Sequence, residues 1–319
     1  MSLLVLGGAG FIPSYFVAEA VKSNRFDKIV VYDNDIKNNT LNIPIFNEII
    51  KDNRLLLVKG DALNAIKLFE IIRKFKIKNV VHAISLLTAA SEEDPIGALD
   101  VNVKSLILTM EAARIFDFEK IIYISSQAVY GYTEEKTIDE EYPKNPNTIY
   151  AITKFCSELI GIHYKEEYNL NFIALRFPLV YGYGRRRGYG IIEDLIEKPL
   201  VGETPVVPCD QKFEPLYVKD AAKAILLSLM SYRRKHNIYN IGSGEMLSYK
   251  EMIKIIQEII PNASIKILGT KDSIRAKAYC TRGLLNLKKA KEELNYLPEY
   301  DFRKGIKDYL EIRSTCQSY

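Results

Sequence analysis

The first thirteen residues of this chain restrict its fold more than any other segment. The apolar run SLLVL at positions 2–6 has the length of a buried strand and passes directly into GGAGFIP at positions 7–13. Glycines at such a turn let the backbone come close to a phosphate group, and the following helix presents unpaired N–H groups and its positive dipole end to that group. The segment therefore predicts the strand, turn and helix of a dinucleotide-binding unit.

A carboxylate follows at the spacing that this unit requires. The apolar run from Lys28 to Tyr32 predicts a second strand, and Asp33 stands at its end, about twenty residues after the glycine turn. At that place a carboxylate accepts hydrogen bonds from the 2′-OH of an adenosine ribose and repels a 2′-phosphate. The predicted cofactor is therefore NAD rather than NADP.

Strand and helix signals alternate along the chain up to about residue 176. Apolar runs of strand length stand at 55–58, 79–83, 120–124 and 172–175, and helical periodicity at 63–75, 98–116 and 150–167. This alternation predicts an α/β fold with a Rossmann-type, doubly wound parallel sheet, whose ligand crevice lies at the carboxyl ends of its strands. The residues expected at those ends are Gly60, Asp61, segment 82–85, Ser125, Ser126 and Arg176.

The pattern changes at about Phe177 to glycine- and proline-rich loops and short elements. A helix at 218–231 and a strand at 236–241 are expected to return to the main sheet, so two domains interleave in sequence. We expect an NAD-binding domain of residues 1–176 and 217–241, and a smaller, loop-rich α/β substrate domain of residues 177–216 and 242–319. The second domain has a late strand at 265–268 and a helix at 287–294. Such lobes lie over a cofactor and bind substrate.

The segment YAITK places Tyr150 and Lys154 four residues apart, one turn apart on the same face of the predicted helix. A tyrosine ionises near pH 10 when unperturbed, and a neighbouring ammonium favours its phenolate. With Ser126 upstream, the pair can take a proton from a substrate alcohol while a nicotinamide takes the hydride. The chain is therefore predicted to be an enzyme.

Composition excludes several other classes of function. A net charge of +4 with scattered basic residues shows no nucleic-acid footprint, and no apolar run is long enough to span a bilayer, so we expect a cytoplasmic protein. The three histidines and four cysteines lack metal-ligand spacing, which predicts no metal site. The absence of Trp and the abundance of Ile, Lys and Glu favour a thermophilic source. The cluster at 185–187 is either an anion site or plain surface.

Taken together, these motifs resemble the extended short-chain dehydrogenase/reductases, a family that includes NAD-dependent sugar-nucleotide epimerases and dehydratases. The resemblance covers nearly the whole chain and includes VVHA at 80–83, VNVKS at 101–105, SSQAVYG at 125–131, YAITK at 150–154 and LRFPLVYGYG at 175–184. It implies that Tyr150 is the acid/base, that Lys154 bonds the nicotinamide ribose and keeps the tyrosine acidic, and that Ser126 holds the substrate oxygen. The other cofactor-binding residues that it implies are Gly7, Gly10, Phe11, Ile12, Asp33, Asn34, Asp61, Ala62, Ala83, Ile84, Ser85, Asn102, Pro178 and Val180.

Four departures from the family pattern bear on the function. Pro13 replaces the last glycine of the turn motif and fits the first turn of a helix, which needs no N–H there. Gln127 and Ala128 stand where dehydratases of this family carry an Asp-Glu pair, so a 4,6-dehydratase is disfavoured. Leu179 and Phe213 replace an asparagine and an arginine that face the substrate diphosphate in sugar-nucleotide enzymes. Arg185–Arg187, Lys212, Arg275 or Arg282 are candidates to compensate.

Two branches of the family therefore remain open. The segments 86–95, 176–178 and 212–220 resemble short-chain L-threonine dehydrogenases, but that branch's substrate loop is missing, whereas the segment 286–310 is similar to epimerase tails. The preferred hypothesis is an epimerase that acts on a nucleotide sugar; the alternatives are a dehydrogenase of a small hydroxy compound and a non-catalytic NAD-binding module. The resemblance also implies a homodimer, in which helices 98–116 and 150–167 pair across a two-fold axis. The expected substrate contacts are Ser126, Gln127, Leu179, Arg185 and Arg275.

Overall fold

The computed structural model describes residues 1–36, 49–133, 135–185, 190–269 and 283–317. Its centre is a sheet of seven parallel strands in the order β12-β7-β5-β4-β1-β2-β3. The predicted Rossmann-type fold is thereby confirmed, with strand order reversing between β1 and β4 as a doubly wound sheet requires. The strands are β1 (Ser2–Leu6), β2 (Lys28–Asp33), β3 (Leu55–Lys59), β4 (Asn79–His82), β5 (Lys120–Ser126), β7 (Phe172–Phe177) and β12 (Ile238–Asn240).

Both faces of the sheet are covered, which explains why its inner strands are continuously apolar. Residues that alternate along each strand enter two separate cores: Val5 and Val31 pack on one face, and Leu4 and Val30 on the other. The first face is covered by helices α1 (Phe11–Lys22) and α8 (Val218–Met230). The second is covered by α2 (Ala65–Phe75) and α5 (Ser105–Phe116). The other helices among the described residues are α3 (Thr88–Glu93), α4 (Pro95–Ala98), α6 (Ile149–Tyr168), α7 (Ile191–Leu200), α9 (Tyr249–Ile259), α10 (Lys288–Leu294) and α11 (Phe302–Gln317).

The predicted helix at 98–116 is interrupted. Helix α4 ends at Ala98, a π-helical segment occupies Leu99–Lys104, and α5 begins at Ser105. The wider turn contains buried Asn102, whose side chain bonds to groups outside its own helix. Such π-helical turns are rare and occur often beside functional sites. Periodicity alone could not reveal this break, because the apolar spacing continues through it.

The second lobe is built from pairs of two- or three-residue strands. These are β6 (Thr137–Ile138) with β15 (Leu284–Leu285), β8 (Leu179–Tyr181) with β11 (Pro215–Tyr217), β9 (Val206–Val207) with β14 (Lys266–Ile267) and β10 (Lys212–Phe213) with β13 (Leu247–Ser248). Strand β6 comes from the range expected for the first domain, yet it pairs with β15 of the second. The large core beneath α1 and α8 also runs into this lobe without interruption. The division into two interleaved domains stays a prediction.

Candidate active site

A cleft of about 1180 Å³ opens at the carboxyl ends of the parallel strands, where the second lobe meets the sheet. It brings together nearly all of the site residues predicted from the sequence. Those that line it are Gly7, Gly10, Phe11, Ile12, Asp33, Asn34, Asp61, Ala62, Ala83, Ile84, Ser85, Ser126, Gln127, Tyr150, Lys154, Pro178, Leu179, Val180 and Arg185. Arg186, Arg187, Arg275 and Arg282 lie outside the described residues.

The glycine turn forms one end of this cleft. Gly7 has a φ of +72°, and a Cβ atom built on it would lie 3.2 Å from the carbonyl carbon of Ala83 and from Ile84 Cγ1. Helix α1 begins directly after Gly10, with no side-chain cap and no acidic residue in its first turn. Its first N–H groups therefore face the cleft without competition from a capping side chain. This arrangement fits a pyrophosphate, which needs close backbone approach and a positive helix terminus.

Asp33 joins the turn to the end of strand β2. Its Oδ2 atom accepts a hydrogen bond from Ala9 N at 3.1 Å, and its Oδ1 atom accepts one from Asp35 N at 2.9 Å. Each carboxylate oxygen keeps a further lone pair for a ribose hydroxyl. Next to it, Tyr32 donates to Asp61 O at 3.0 Å, and a Cβ atom on Gly60 would lie 2.3 Å from the Tyr32 oxygen. Together with the glycine turn, these residues fit the adenosine half of NAD.

The first turn of helix α6 places Tyr150 in the wall of the cleft. Thr148 caps the helix by accepting a hydrogen bond from Ala151 N at 3.1 Å. Glu92, from helix α3, accepts a second from Ile149 N at 2.6 Å. These two bonds satisfy backbone donors that a helix start otherwise leaves unpaired. Sequence reasoning missed Glu92, because nothing in its local pattern connects it with a helix start 57 residues further along.

Lys154 lies one turn below Tyr150, as the four-residue spacing predicts. Its Nζ atom donates to Ile124 O at 2.7 Å and lies 5.7 Å from the centre of the Tyr150 ring. The same Nζ lies 4.9 Å from the centre of the Tyr123 ring. With 2% of its surface exposed, the Lys154 amino group is buried between a carbonyl and two aromatic rings.

Burial sets the electrostatics of this lysine. It lowers the pKa of Lys154 to about 7, and the charge of Glu158, one turn further along α6, partly offsets the change. Burial and the charge of Lys154 lower the pKa of His82 to about 3, so the imidazole is neutral at physiological pH. His82 Nε2 lies 3.0 Å from Ser105 Oγ, which itself donates to Val101 O. Because that hydroxyl proton is already used, the imidazole donates from Nε2.

A buried ion pair joins helix α6 to strand β7. Arg176, at the end of β7, donates from Nε to Glu158 Oε1 at 2.9 Å and from Nη2 to Glu158 Oε2 at 2.6 Å. Ser125 also donates to this carboxylate, and Arg176 donates to Tyr130 Oη at 2.7 Å. The pair thus ties α6 to β7, and the Ser125 bond ties α6 to β5 at the residue before Ser126. Sequence reasoning missed Glu158, although its position four residues after Lys154 puts it on the same face of the helix.

Ser126 ends β5, and its Oγ atom accepts a hydrogen bond from Ala128 N at 3.1 Å. Ser126 thereby caps the one-turn 3₁₀ helix Gln127–Tyr130, and its hydroxyl proton stays available for another partner. Ser126, Tyr150 and Lys154 all line the same cleft.

Asn102 differs from the other described site residues because it does not line the cleft. Its side chain accepts from Leu86 N at 2.7 Å and donates to Leu86 O at 3.2 Å, and it also donates to Thr153 Oγ1 at 2.9 Å. Thr153 precedes Lys154 on α6. Asn102 thus attaches Leu86, which lines the cleft, to helix α6.

Short elements of the second lobe provide another part of the cleft wall, lined by Leu179, Arg185, Lys212, Phe213 and Glu214. Arg185 donates to Val180 O. The Glu214 carboxylate is buried and accepts hydrogen bonds from Gly244 N at 3.1 Å and from Leu285 N at 3.0 Å. Burial raises the pKa of Glu214 to about 7, and these backbone donors partly offset the change.

Two absences concern only the described part of the chain. No helix there is long and apolar enough to cross a membrane. Across the same residues, no group of three or more His, Cys, Asp or Glu side chains is arranged to hold a metal ion.

The glycine turn, Asp33 and the Tyr150–Lys154 pair in one cleft define a dinucleotide-dependent α/β oxidoreductase. Comparison with known proteins identifies the family. The model of the NAD-dependent epimerase/dehydratase family matches residues 3–242, and the chain belongs to that family. It is an enzyme of the extended short-chain dehydrogenase/reductase type, and its cofactor is NAD.

Relatives and solved structures cover the whole length of the chain. A putative UDP-glucose 4-epimerase of Methanocaldococcus jannaschii is 32% identical over 96% of this chain and 96% of its own. The crystal structure of a Thermus thermophilus UDP-glucose 4-epimerase in complex with NAD is 26% identical, with a TM-score of 0.83, and covers 98% of this chain and 99% of its own. An L-threonine dehydrogenase of Phytophthora infestans has the same fold at 21% identity, with a TM-score of 0.86 and 99% of both chains covered.

Proposed function

We propose that this protein is an epimerase of a nucleotide-linked sugar, in which a hydride passes transiently from a substrate C–OH to bound NAD and Tyr150 acts as acid and base. One observation carries the proposal: Ser126, Tyr150 and Lys154 lie in the same cleft as the glycine turn and Asp33. The 32% identity to a protein named as a putative UDP-glucose 4-epimerase supports the choice of substrate class.

Each catalytic side chain has a distinct role in this proposal. Tyr150 removes the hydroxyl proton of the substrate and later returns it, which requires a phenolate stabilised by the neighbouring ammonium of Lys154. Ser126 holds the substrate oxygen in line by hydrogen bonding. NAD, when bound, supplies the hydride acceptor for the oxidation and the donor for the return step. Lys154 also has donors for the hydroxyls of the nicotinamide ribose.

The cofactor contacts follow from the cleft. Backbone N–H groups at Phe11 and Ile12 would hold the pyrophosphate beside Gly10, whose own N–H donates to Gly7 O at 3.0 Å. Asp33 with Asn34 would hold the adenosine ribose. Asp61 and Ala62 would flank adenine. The nicotinamide end would be held by Ala83, Ile84, Ser85, Pro178 and Val180. Asn102 would not touch the cofactor; it would hold Leu86 and Thr153 in place.

Recognition of the diphosphate would fall to Arg185 and Lys212, the described basic residues at the substrate end of the cleft. A second candidate function rests on the apolar residues beside them. Leu179 and Phe213 stand where diphosphate ligands are expected, which favours a smaller substrate such as an amino acid with a hydroxyl group. In that case the enzyme would be a dehydrogenase that releases its ketone product and reduced cofactor. The intact catalytic set serves either reaction.

Two measurements separate these functions. The purified protein is denatured and assayed for released NAD, and the native protein is then offered UDP-hexoses and L-threonine in separate reactions. An epimerase is expected to retain its cofactor and to isomerise the sugar without net reduction. Reduced cofactor that accumulates with L-threonine, and no conversion of any sugar, would contradict the epimerase proposal.

We also propose that the protein is a homodimer. Ile96, Leu99, Ile152 and Leu159 are 46% to 77% exposed on α4, the π-helical segment and the adjacent α6. A second copy that packs its own equivalent helices on this face would bury these side chains in a four-helix arrangement. Light scattering should give twice the chain mass. A double variant, Ile152→Glu with Leu159→Glu, should give a monomer, and a wild-type monomer would contradict the proposal.

A further inference from the structure

The positive charge of Lys154 receives little support from hydrogen bonds and ion pairs. Its Nζ atom donates to Ile124 O at 2.7 Å, and the side chain is buried. Glu158, one turn further along α6, supports the charge only in part, because two bonds from Arg176 already hold its carboxylate. Burial of an ammonium group disfavours its charged form. The charge therefore needs a further source of stabilisation.

The ring of Tyr123 lies against this amino group. Lys154 Nζ is 4.9 Å from the centre of the Tyr123 ring, closer than its distance of 5.7 Å to the centre of the Tyr150 ring. A cation over the face of an aromatic ring is attracted to it, and the attraction is larger where water is excluded. Tyr123 is fully buried, so its contact with the lysine meets this condition.

The main sheet holds this ring in place. Tyr123 stands three residues before Ser126 on β5, and its partner in the register of the neighbouring strand β4 is His82. The centres of these two rings are 5.7 Å apart, and the ring of Phe172, on the other neighbouring strand β7, is 6.2 Å from Tyr123. Rings from both neighbouring strands thus pack against Tyr123 and restrict its rotation.

The other titratable groups around Lys154 do not replace the ring. On β4, burial and the charge of Lys154 lower the pKa of His82 to about 3, so the imidazole is neutral. On β5, burial raises the pKa of Tyr123 well above its ordinary value, so its phenol stays protonated. On α6 itself, Tyr150 and Glu158 face the lysine. The Tyr123 ring therefore acts on the lysine as a neutral aromatic face.

From this geometry we propose that Tyr123 is a positioning residue, whose ring stabilises the ammonium form of Lys154 and thereby the phenolate form of Tyr150. The pair can hold one proton in two ways. On the lysine it gives an ammonium and a phenolate, and on the tyrosine it gives a neutral amine and a neutral phenol. The first form accepts the proton of a substrate hydroxyl at Tyr150, and the ring favours this form. The inference rests on the proposed role of Tyr150 and applies to an epimerase and a dehydrogenase alike.

The test is a spectroscopic titration of Tyr150 that requires no substrate. Ionised tyrosine absorbs at longer wavelength than the neutral phenol, so the difference between a protein and the same protein with Tyr150→Phe isolates this residue. The NAD-bound wild type, Tyr123→Leu, Tyr123→Met and Tyr123→Phe are titrated in this way from about pH 5 to about pH 10. Phe172→Leu is the matched control, because it removes a neighbouring ring of the same core. Released NAD and the thermal unfolding midpoint confirm that each variant is folded and holds its cofactor.

The variants Tyr123→Leu and Tyr123→Met lose the ring, which should disfavour the ammonium by about one pH unit. The phenolate signal of Tyr150 at about pH 7.5 should then fall severalfold, and the missing part should appear above about pH 9. Tyr123→Phe keeps the ring and should titrate as the wild type does. Phe172→Leu should do so too, because it leaves the ring beside the lysine in place.

Four outcomes would overturn the inference. The first is a Tyr150 signal in Tyr123→Leu and Tyr123→Met that equals that of the wild type. The second and third are an equal loss of signal in Tyr123→Phe or in Phe172→Leu, which would assign the effect to the hydroxyl or to general packing. The fourth is a wild type whose Tyr150 does not ionise below about pH 9. If the titrations follow the expectation and no nucleotide sugar is converted, the epimerase proposal fails and this inference stands.

Discussion

The two ends of the cleft are built in different ways. The proposed cofactor end, which comprises the glycine turn, Asp33, Asp61 and segment 83–85, lies on strands that are paired over four or five residues. Strands β1, β2 and β4 are paired on both sides, and the edge strand β3 on one. The substrate end, which comprises Leu179, Arg185, Lys212, Phe213 and Glu214, lies on strands of two or three residues with one partner each. Backbone geometry fixes the cofactor end, whereas the chemistry of the substrate end depends on the side chains of a few short elements.

This difference separates chemistry from specificity. The reaction type follows from positions that the main sheet holds, so it can be shared by many proteins with this fold. In the proposed function the substrate depends on the lobe, where this chain departs from the pattern it resembles. Changes at the cofactor end should therefore affect rate and stability strongly, and changes at the substrate end should mainly affect substrate affinity.

The largest effect is expected from Tyr150→Phe. Removal of the phenol oxygen removes the proton acceptor, so kcat should fall about 10²–10⁴-fold, while NAD content stays at the wild-type level. Tyr164→Phe is the matched control, since it makes the same change on the same helix at a tyrosine bonded to Glu111. Single-turnover hydride transfer measures the rate. Full activity in Tyr150→Phe would place the acid/base elsewhere.

The buried pair behind α6 should dominate stability. Arg176→Met leaves the Glu158 carboxylate buried without its cation, which should lower the free energy of unfolding by about 3–5 kcal/mol. Arg114→Met breaks an exposed pair with Glu111 and should cost about 0–1 kcal/mol. Urea unfolding at pH 7 compares the two. Equal losses would show that the network around Arg176 does not hold the catalytic helix in place.

Glu214 should make the substrate end sensitive to pH. Its pKa of about 7 in the folded protein lies above its ordinary value of 4.5, so the folded state binds this proton more tightly. The resulting stabilisation is complete below about pH 4.5 and is lost as the pH rises through 7, a change of about 3 kcal/mol. Between pH 5 and pH 8, the free energy of unfolding of the wild type, measured in urea, should fall by on the order of 2–3 kcal/mol relative to that of Glu214→Gln. Glu203→Gln, at an exposed glutamate, serves as control. If the difference in unfolding free energy between wild type and Glu214→Gln stays constant with pH, this titration is refuted.

The smallest effect is expected from Lys212→Met. Lys212 is exposed at the rim of the cleft, so loss of its charge should raise KM for a nucleotide sugar about fivefold, or ~1 kcal/mol, and leave kcat unchanged. Lys250→Met, which removes a partner of Asp210 on the same lobe, is the control. Initial rates at low and high salt measure both constants. A fall in kcat with unchanged KM would place Lys212 at the reaction centre rather than at the diphosphate.

The sequence predicted those features that repeat with a regular period or stand at a fixed spacing. The seven-stranded sheet follows from apolar runs, and the place of Lys154 beneath Tyr150 follows from four residues on a helix. The bond from Ile149 N to Glu92, the π-helical segment around Asn102 and the pairing of β6 with β15 could not be predicted. The bond and the strand pairing join positions that are distant in sequence through a single side chain or a two-residue strand, which leaves no periodic signal. The π-helical segment keeps the apolar spacing of an ordinary helix.

The hydrogen bonds of Arg176 also have a consequence for the order of folding. Tyr130, which accepts from Arg176, donates to Asn240 Oδ1 at 2.7 Å across 110 residues of sequence. Contacts between such distant residues form late, because a long loop must close first. A nascent chain that ends at residue 177 already contains Ser126, Tyr150 and Lys154, but the strand that completes their support has not been synthesised. Catalytic competence should therefore appear only after β12 has joined the edge of the sheet.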